Sequence, residues 1–330
     1  MQITEPLSLS VLAEMDALGD PMLTLFSARV SAMSPVSRQQ SCCSIDTPHT
    51  GSPSYKSSST PYKSRSSPSR DHWKRSFSFA TAKSIGRGTS GTVFAVDDTR
   101  VIKVFAEDEE GQLDLAREKE IFDKLQIPVS SQYIINCEEQ WYSGLVLERL
   151  VTTLRELLKD FAKNSPDTQH PLALQWSLES CRGLAFLHQR GVLHGDIGCQ
   201  NILISDKGHA KLCDFAGSSI GDKHAWVAYE IRSQHPSYSG QQPRVETEIF
   251  AIGSLLYEIW TLRRPYTSET DPVVKKRFLA GDFPLDSVKG LSIEKIIGKC
   301  WQGVYHDVPT ICKDIEEIER STQTQGSAGS

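Results

Sequence analysis

The sequence predicts an α+β protein of two lobes. A small lobe of five strands and one helix spans residues 77–148, and a mainly helical lobe follows over residues 149–320. Three observations predict this. Five short strand-like runs lie between residues 77 and 150, separated by turns and one charged helical stretch. From residue 171 onward, apolar residues recur mostly with helical period. Near residue 76 the composition changes, as a Ser-, Thr- and Pro-rich segment gives way to periodic sequence.

Residues 1–76 read as a tail. From about residue 31 it has no sustained apolar period, so it cannot bury enough surface to offset chain entropy and is expected to be disordered. Val11, Leu12, Met15 and Leu18 recur at helical spacing before Pro21, which predicts a short amphipathic segment suited to docking. Ser/Thr-Pro pairs start at Ser34, Thr47, Ser52, Thr60 and Ser67, a pattern fit for an upstream proline-directed kinase. Residues 321–330 read as a flexible end.

In the small lobe, "FSFATAKSIG", "GTVFAVDD" and "RVIKVFA" read as three strands. A charged helix is expected over Leu113 to Leu125, then two strands in "YIINCEEQW" and "GLVLERL". The lobes join near Glu148 to Leu150. Thr153 precedes Glu156 by three residues ahead of Leu157, Leu158 and Phe161, a capping-box start to a helix. "PLALQWSLESCRGLAFLHQRG" is a long helix that stops at Gly191. A polar loop, two brief strands, an irregular segment and further helices follow.

The formal net charge of -5 argues against a specific nucleic-acid partner. Cations concentrate between Lys56 and Arg75, where Asp71 is the lone acid, so the remainder is acidic. The eight cysteines show no zinc-type spacing, and the adjacent Cys42 and Cys43 fall in the tail. Reduced thiols and the lack of an early basic cluster fit an intracellular protein, cytoplasmic or nuclear. No uninterrupted apolar run approaches the roughly 18 residues of a membrane span.

Chemistry concentrates in five places. "GRGTSGTV" supplies Gly86, Gly88 and Gly91 between two strands, where backbone N–H groups can approach a phosphate. Lys103 sits inside the apolar "VIKVF", on the face opposite Ile102 and Val104, and so needs a partner; Glu118 on the next helix is one. In "HGDIGCQN", Asp196 can accept a proton from a hydroxyl, and Asn201 can offer a metal its amide oxygen. Asp214, after "KLC" and before "FAG", can hold Mg²⁺ against phosphates. Order and spacing together carry the signal.

With these residues in this order, residues 78–320 or so resemble the eukaryotic protein kinases, and "HGD", the glycine after "DI" and "IFAIGSLLYEIW" look most like divergent kinase-like proteins of filamentous fungi. The resemblance implies a bilobal kinase fold with ATP and Mg²⁺ as cofactors. It places Gly86 to Gly91 over the phosphates, Lys103 on the α- and β-phosphates paired with Glu118, and Asp196 as catalytic base. Asn201 and Asp214 become the metal ligands. It places Ile85, Val93, Val101 and Leu203 about the adenine, Leu147 before the hinge, and Glu148 and Leu150 at the hinge beside the base. "RRPY" resembles the turn after the buried helix of the large lobe, and "AYE" (228–230) the end of the activation segment.

The departures from that family have chemical consequences. Gly195 stands in place of an Arg that gathers an activation-loop phosphate. Gly198 replaces a Lys beside the transferred group, and Gln200 stands where tyrosine kinases carry Arg or Ala. Ala216 replaces a hinge Gly, Glu248 a buried Asp, and Val308 the Arg that pairs with Glu230, which is therefore expected to be unpaired or differently paired. One missing cation in such a site costs about 3 to 4 kcal/mol, or 100- to 1000-fold in rate. Cys213, next to Asp214 and near Lys103, is either a packed thiol or one activated by the nearby cation. The reading is an ATP- and Mg²⁺-dependent kinase of protein hydroxyls, Ser/Thr rather than Tyr. A pseudokinase that binds nucleotide or acts as a scaffold is the second reading, and a small-molecule phosphotransferase, suggested by "HGD", the third.

Overall fold

The computed structural model describes residues 72–327 apart from 127–129, 165–171, 227–228, 239 and 241. The predicted segment over 11–18, the Ser/Thr-Pro pairs, Cys42, Cys43 and Ala228 lie outside the described residues.

The N-terminal lobe begins earlier than the composition predicts. His72–Ser76 form a short helix, α1, within the segment assigned to the tail. Trp73 is the cause: it is buried against Ile102 and Val146 on the outer face of the sheet. It meets Trp141 edge-on at 5.0 Å, and Phe77 packs on Trp141 at 5.6 Å. Lys74, within the basic cluster, pairs with Glu139 at 2.6 Å. The lobe therefore holds two helices rather than the one expected.

Five strands follow the prediction in number and order: β1 (Ser84–Arg87), β2 (Thr92–Ala95), β3 (Arg100–Val104), β4 (Cys137–Trp141) and β5 (Gly144–Glu148). They form one antiparallel sheet in the order β1-β2-β3-β5-β4. Each strand is shorter than its apolar run because the flanking residues turn. Alternation splits β3 between two cores: Ile102 faces the Trp73 cluster, while Val101 faces the main core. Lys103 shares the face of Val101, toward the second lobe.

Helix α2 (Glu109–Leu125) starts one turn before the predicted Leu113. Asp108 caps it, accepting from the backbone N–H of Gly111 at 2.9 Å, and Glu109 and Glu110 complement the positive end of the helix. Its buried stripe is Leu115, Glu118, Ile121, Phe122 and Leu125. A charged residue in an apolar stripe is costly unless paired.

In the second lobe, the two-residue strand β6 (Thr152–Thr153) leads into α3 (Leu154–Asn164). Thr153 Oγ1 accepts from the Glu156 N–H at 3.2 Å, which is one half of the predicted capping box. Glu156 does not complete the other half, because its carboxylate takes Lys159 instead. Helix α4 (Ala173–Gln189) ends as Gly191 takes φ +64, a left-handed conformation open to glycine at little cost. Strand β7 (Val192–Leu193) follows. The polar loop then enters β8 (Ile202–Ile204), which pairs with β6 on one side and β9 (Ala210–Leu212) on the other. A short strand β10 (Ser219–Ile220) pairs back on β7.

Helix α5 (Val245–Thr261) is buried from Thr247 to Trp260 and forms the centre of the lobe. Its polar groups are matched: Trp260 Nε1 donates to Ser177 at 3.0 Å, and Ser254 accepts from Trp301 at 3.1 Å. Helices α6 (Asp271–Leu279), α7 (Glu294–Trp301) and α8 (Val308–Ser327) complete it. Helix α8 passes the predicted boundary at residue 320. Ile311, Cys312 and Ile315 anchor its first turns. Beyond them, the Ser321 and Thr322 hydroxyls bond back to the carbonyls of Glu317 and Ile318.

Among the described residues, no helix is long and apolar enough to cross a membrane.

Candidate active site

The site lies between the sheet and the loops around β8 and β9, and Lys103 is its centre. On β3 it is buried, and its Nζ donates to Glu118 Oε2 at 2.6 Å and to Asp214 Oδ1 at 2.6 Å. Burial works against the ammonium, but the two carboxylates outweigh it and hold its pKa above the ordinary value. Glu118 Oε1 also accepts from the backbone N–H of Phe215 at 3.2 Å. One carboxylate thus ties α2 to both β3 and the segment after β9.

Asp214 adopts φ +67, a strained backbone for a non-glycine residue. Burial pushes its carboxyl up, yet the charge and hydrogen bond of Lys103 reverse this and leave it below the usual range. It is therefore an anion at neutral pH. Its Oδ1 also accepts from Ser90 at the tip of the glycine-rich turn, at 3.1 Å. Ser90 escaped notice in the sequence because only the glycines form a pattern there.

The glycines have different reasons. A Cβ at Gly91 would overlap the Val104 carbonyl, so the neighbouring strand requires glycine. At Gly88 a Cβ would meet nothing within 4 Å. The space over that backbone is open, as a cradle for phosphates must be. Val93 and Leu203 pack on the main core with Val101, and Leu150 joins them from the junction. Ile85 is 41% exposed on β1, with an uncovered apolar side chain. Leu147 is buried on β5 opposite Val101. Glu148 accepts Lys211 Nζ at 2.6 Å and the Asn136 N–H at 2.7 Å, which fixes the junction.

Asp196 stands across from this cluster. Asn201 Nδ2 donates to Asp196 Oδ2 at 2.9 Å and to its carbonyl at 2.8 Å. Burial raises the Asp196 carboxyl above its ordinary value, against the opposing pull of His194 and Asn201. The Asn201 carbonyl accepts the Cys213 N–H at 3.0 Å, so the loop and Asp214 are held together. His194 Nε2 lies 3.1 Å from the Cys213 carbonyl. Phe215 bridges the lobes, edge-on to Phe122 at 5.4 Å and to His194 at 5.6 Å.

Asn201 and Asp214 suit a hard divalent cation. The Asn201 amide turns its nitrogen to Asp196, leaving its oxygen as the available donor, and Asp214 Oδ2 takes no part in the Lys103 contact. No cluster of three carboxylate, imidazole or thiol ligands occurs among the described residues. Two protein ligands completed by phosphate oxygens and water is the usual arrangement for Mg²⁺.

The substituted positions are filled by unexpected partners. Gly198 does not leave an empty space: the Gln200 carboxamide lies where a Cβ at 198 would go, and its Nε2 donates to Asp196 Oδ1 at 3.3 Å. Its Oε1 is buried with no hydrogen-bond partner. Glu248 accepts from the backbone N–H of His194 at 3.1 Å and of Gly195 at 2.7 Å, and from Tyr229 Oη at 3.2 Å; His188 Nε2 lies 2.7 Å away. Burial pushes its carboxyl up, but those partners overcome it and hold Glu248 below the carboxylate range.

Glu230 is differently paired, as expected. Arg155 donates to it at 2.8 Å while forking onto Glu258 at 2.9 and 3.0 Å. Arg155 had no motif to mark it, since its partners lie far along the chain. Cys213 is the packed alternative: burial, then the Asp214 charge, drive its thiol well above the usual value, and Lys103 only partly opposes them.

A two-lobed fold with a buried Lys–Glu pair joined to a part-exposed Asp, facing an Asp–Asn loop, defines a class of phosphotransferase scaffolds. A family model described as the protein kinase domain matches residues 79–281, and the chain belongs to that family. It is similar to "Mitogen-activated protein kinase kinase kinase 17" of Arabidopsis thaliana, 25% identical over 207 residues, covering 57% of this chain and 54% of that protein. It is also similar to "RGS domain-containing serine/threonine-protein kinase A" of Dictyostelium discoideum, 26% identical over 156 residues, covering 44% of this chain and 13% of that protein. A third is "Proto-oncogene serine/threonine-protein kinase mos" of Mus musculus, 29% identical over 150 residues, covering 39% and 42% respectively. The chain thus spans about half or less of each relative's length.

Proposed function

We propose that the protein is an ATP- and Mg²⁺-dependent kinase of protein hydroxyls, Ser/Thr rather than Tyr. The observation that carries this is the Lys103 clamp, closed on both Glu118 and Asp214. It presents a fixed ammonium beside a carboxylate at the mouth of the glycine-rich turn, the arrangement expected of a site that orients nucleotide phosphates. Two of the relatives are named as serine/threonine-protein kinases, which supports the substrate class. Substitutions at 195, 198, 216 and 248 mark it as a divergent member, in keeping with the kinase-like proteins of filamentous fungi.

Bound Mg·ATP supplies the transferable phosphoryl group. The remaining work belongs to the chain. Asp196, oriented by Asn201 and Gln200, takes the proton of the attacking hydroxyl at its carboxylate. Lys103 orients the phosphates, while Asn201 and Asp214 hold the cation. Gln200 offers an amide dipole where most relatives of this fold carry a charge. The Ser/Thr-Pro tail is the proposed substrate of an upstream proline-directed kinase.

Purified protein incubated with labelled ATP, Mg²⁺ and a peptide array tests the reading. Label is expected on Ser/Thr peptides, and Asp196→Asn is expected to abolish it. The second reading, a pseudokinase, draws on the neutral Gly198–Gln200 pair. It predicts nucleotide binding without label in either protein.

A further inference from the structure

Kinase-type folds need the segment after Asp214 ordered, and Gly195 removes the usual cation for a phosphate there. The segment is nonetheless held in place. Arg117, on α2 beside Glu118, is buried, and its Nη1 donates to the carbonyls of Ser218 at 2.9 Å and His224 at 2.8 Å. Its guanidinium lies 4.6 Å from the Trp226 ring centroid. Glu120, one turn along, pairs with Lys223 at 2.5 Å. From the other lobe, Gln242 accepts the Ala225 N–H at 2.7 Å.

The hydroxyls of the segment are out of reach. Between Asp214 and Glu230 only Ser218, Ser219 and Tyr229 carry one, and all three are buried. Ser218 Oγ donates to the His194 carbonyl at 2.8 Å. Ser219 lies in β10, opposite Leu193. Tyr229 Oη reaches Thr247 at 3.1 Å as well as Glu248.

We propose that Arg117 is a positioning residue: it latches α2 to the activation segment through two backbone carbonyls and the Trp226 ring, so the site is assembled without a phosphate on that segment. The functional half of this rests on the kinase reading; the latch itself does not. A guanidinium is suited to the task, since it can stack on a ring while its N–H groups donate in plane. The same helix turn carries Glu118, so fixing Arg117 also fixes the Lys103 pair. Regulation then falls elsewhere than on Ser218, Ser219 or Tyr229.

Hydrogen exchange on the full chain, phosphatase-treated and untreated, tests the latch. Exchange over residues 218–226 is expected to be slow and equal in both samples. Arg117→Ala is expected to speed it roughly 10- to 100-fold, the range for losing buried charge-assisted hydrogen bonds. Helix α4 should stay unchanged. Arg117→Lys should recover part of the protection, since it keeps the charge and donors without the planar stack. Trp226→Ala, at a half-exposed site, should give a smaller rise in the same peptides and serves if Arg117→Ala does not fold. Unchanged exchange in the Arg117→Ala and Trp226→Ala variants, or faster exchange after phosphatase, would overturn the proposal. Phosphotransfer by the same variants is expected to rank wild type, Lys, Ala; if the wild type transfers nothing while the exchange results hold, the kinase reading fails and the latch stands.

Discussion

Glu248 shows how much one substitution can reorganise at the residue scale. Its two oxygens serve two backbone N–H groups, a phenol and an imidazole, with no exposure to solvent. Glu248→Gln would turn an amide N–H₂ toward those donors. A loss of about 2 to 4 kcal/mol is expected, read by denaturant or thermal melting. The pH sign follows from its depressed pKa. The folded chain holds Glu248 ionised where the unfolded chain, at about 4.3, begins to protonate it. Its stabilisation is thus present above that value and lost as pH falls through the lower folded pKa. Stability profiles between pH 5 and 3 should fall less steeply in Glu248→Gln than in the wild type. Asp196 has the opposite shift. The acid limb of kcat should lie above the ordinary Asp value near 3.9, measurable in a pH–rate profile. Gly198→Lys alone must displace the Gln200 amide, so little gain in turnover is expected from it. Combined with Gln200→Ala, the cation finds room, and kcat should rise roughly 10-fold or more with KM for ATP little changed. Lys103, Glu118, Asp196, Asn201 and Asp214 were legible because their order and spacing form a pattern. Arg117 and Arg155 were not: nothing local distinguishes a buried Arg from a solvated one, and the partners of Arg117 lie more than 100 residues away.

At the scale of elements, the runs between turns located every strand of the five-stranded sheet, the Thr153 cap located the start of α3, and apolar period located α4. Boundaries shifted where a polar side chain ruled the backbone. Asp108 started α2 a turn early by capping it. The largest difference is α1. Its surroundings are Ser- and Arg-rich, and a single Trp in such a context carries no period. Only the outer face of the sheet, with Ile102, Val146 and Trp141, shows why Trp73 folds onto it. Trp73→Ala should therefore destabilise the protein by about 3 kcal/mol or more, since truncating a buried aromatic leaves a cavity. A surface tail residue would give a change near zero in the same melting experiment.

For the whole molecule, several of the contacts through which the two lobes meet also make up the site. Lys103 and Glu118 come from the sheet and α2, Asp214 and Phe215 from the segment after β9, and Ser90 from the glycine-rich turn. Phe122, Phe215 and His194 pack edge-on through the junction behind them. A ligand that engages both lobes should hence raise the stability of the entire fold. The proposed occupant of this cleft is Mg·ATP. Thermal melting with and without Mg·ATP tests it most directly, beside Asp214→Asn as control. At about 100 times its dissociation constant, the nucleotide should add about 2.7 kcal/mol to the wild type. The gain should shrink without Mg²⁺ and in the variant. A folded wild type whose melting is unmoved by millimolar Mg·ATP would contradict the account.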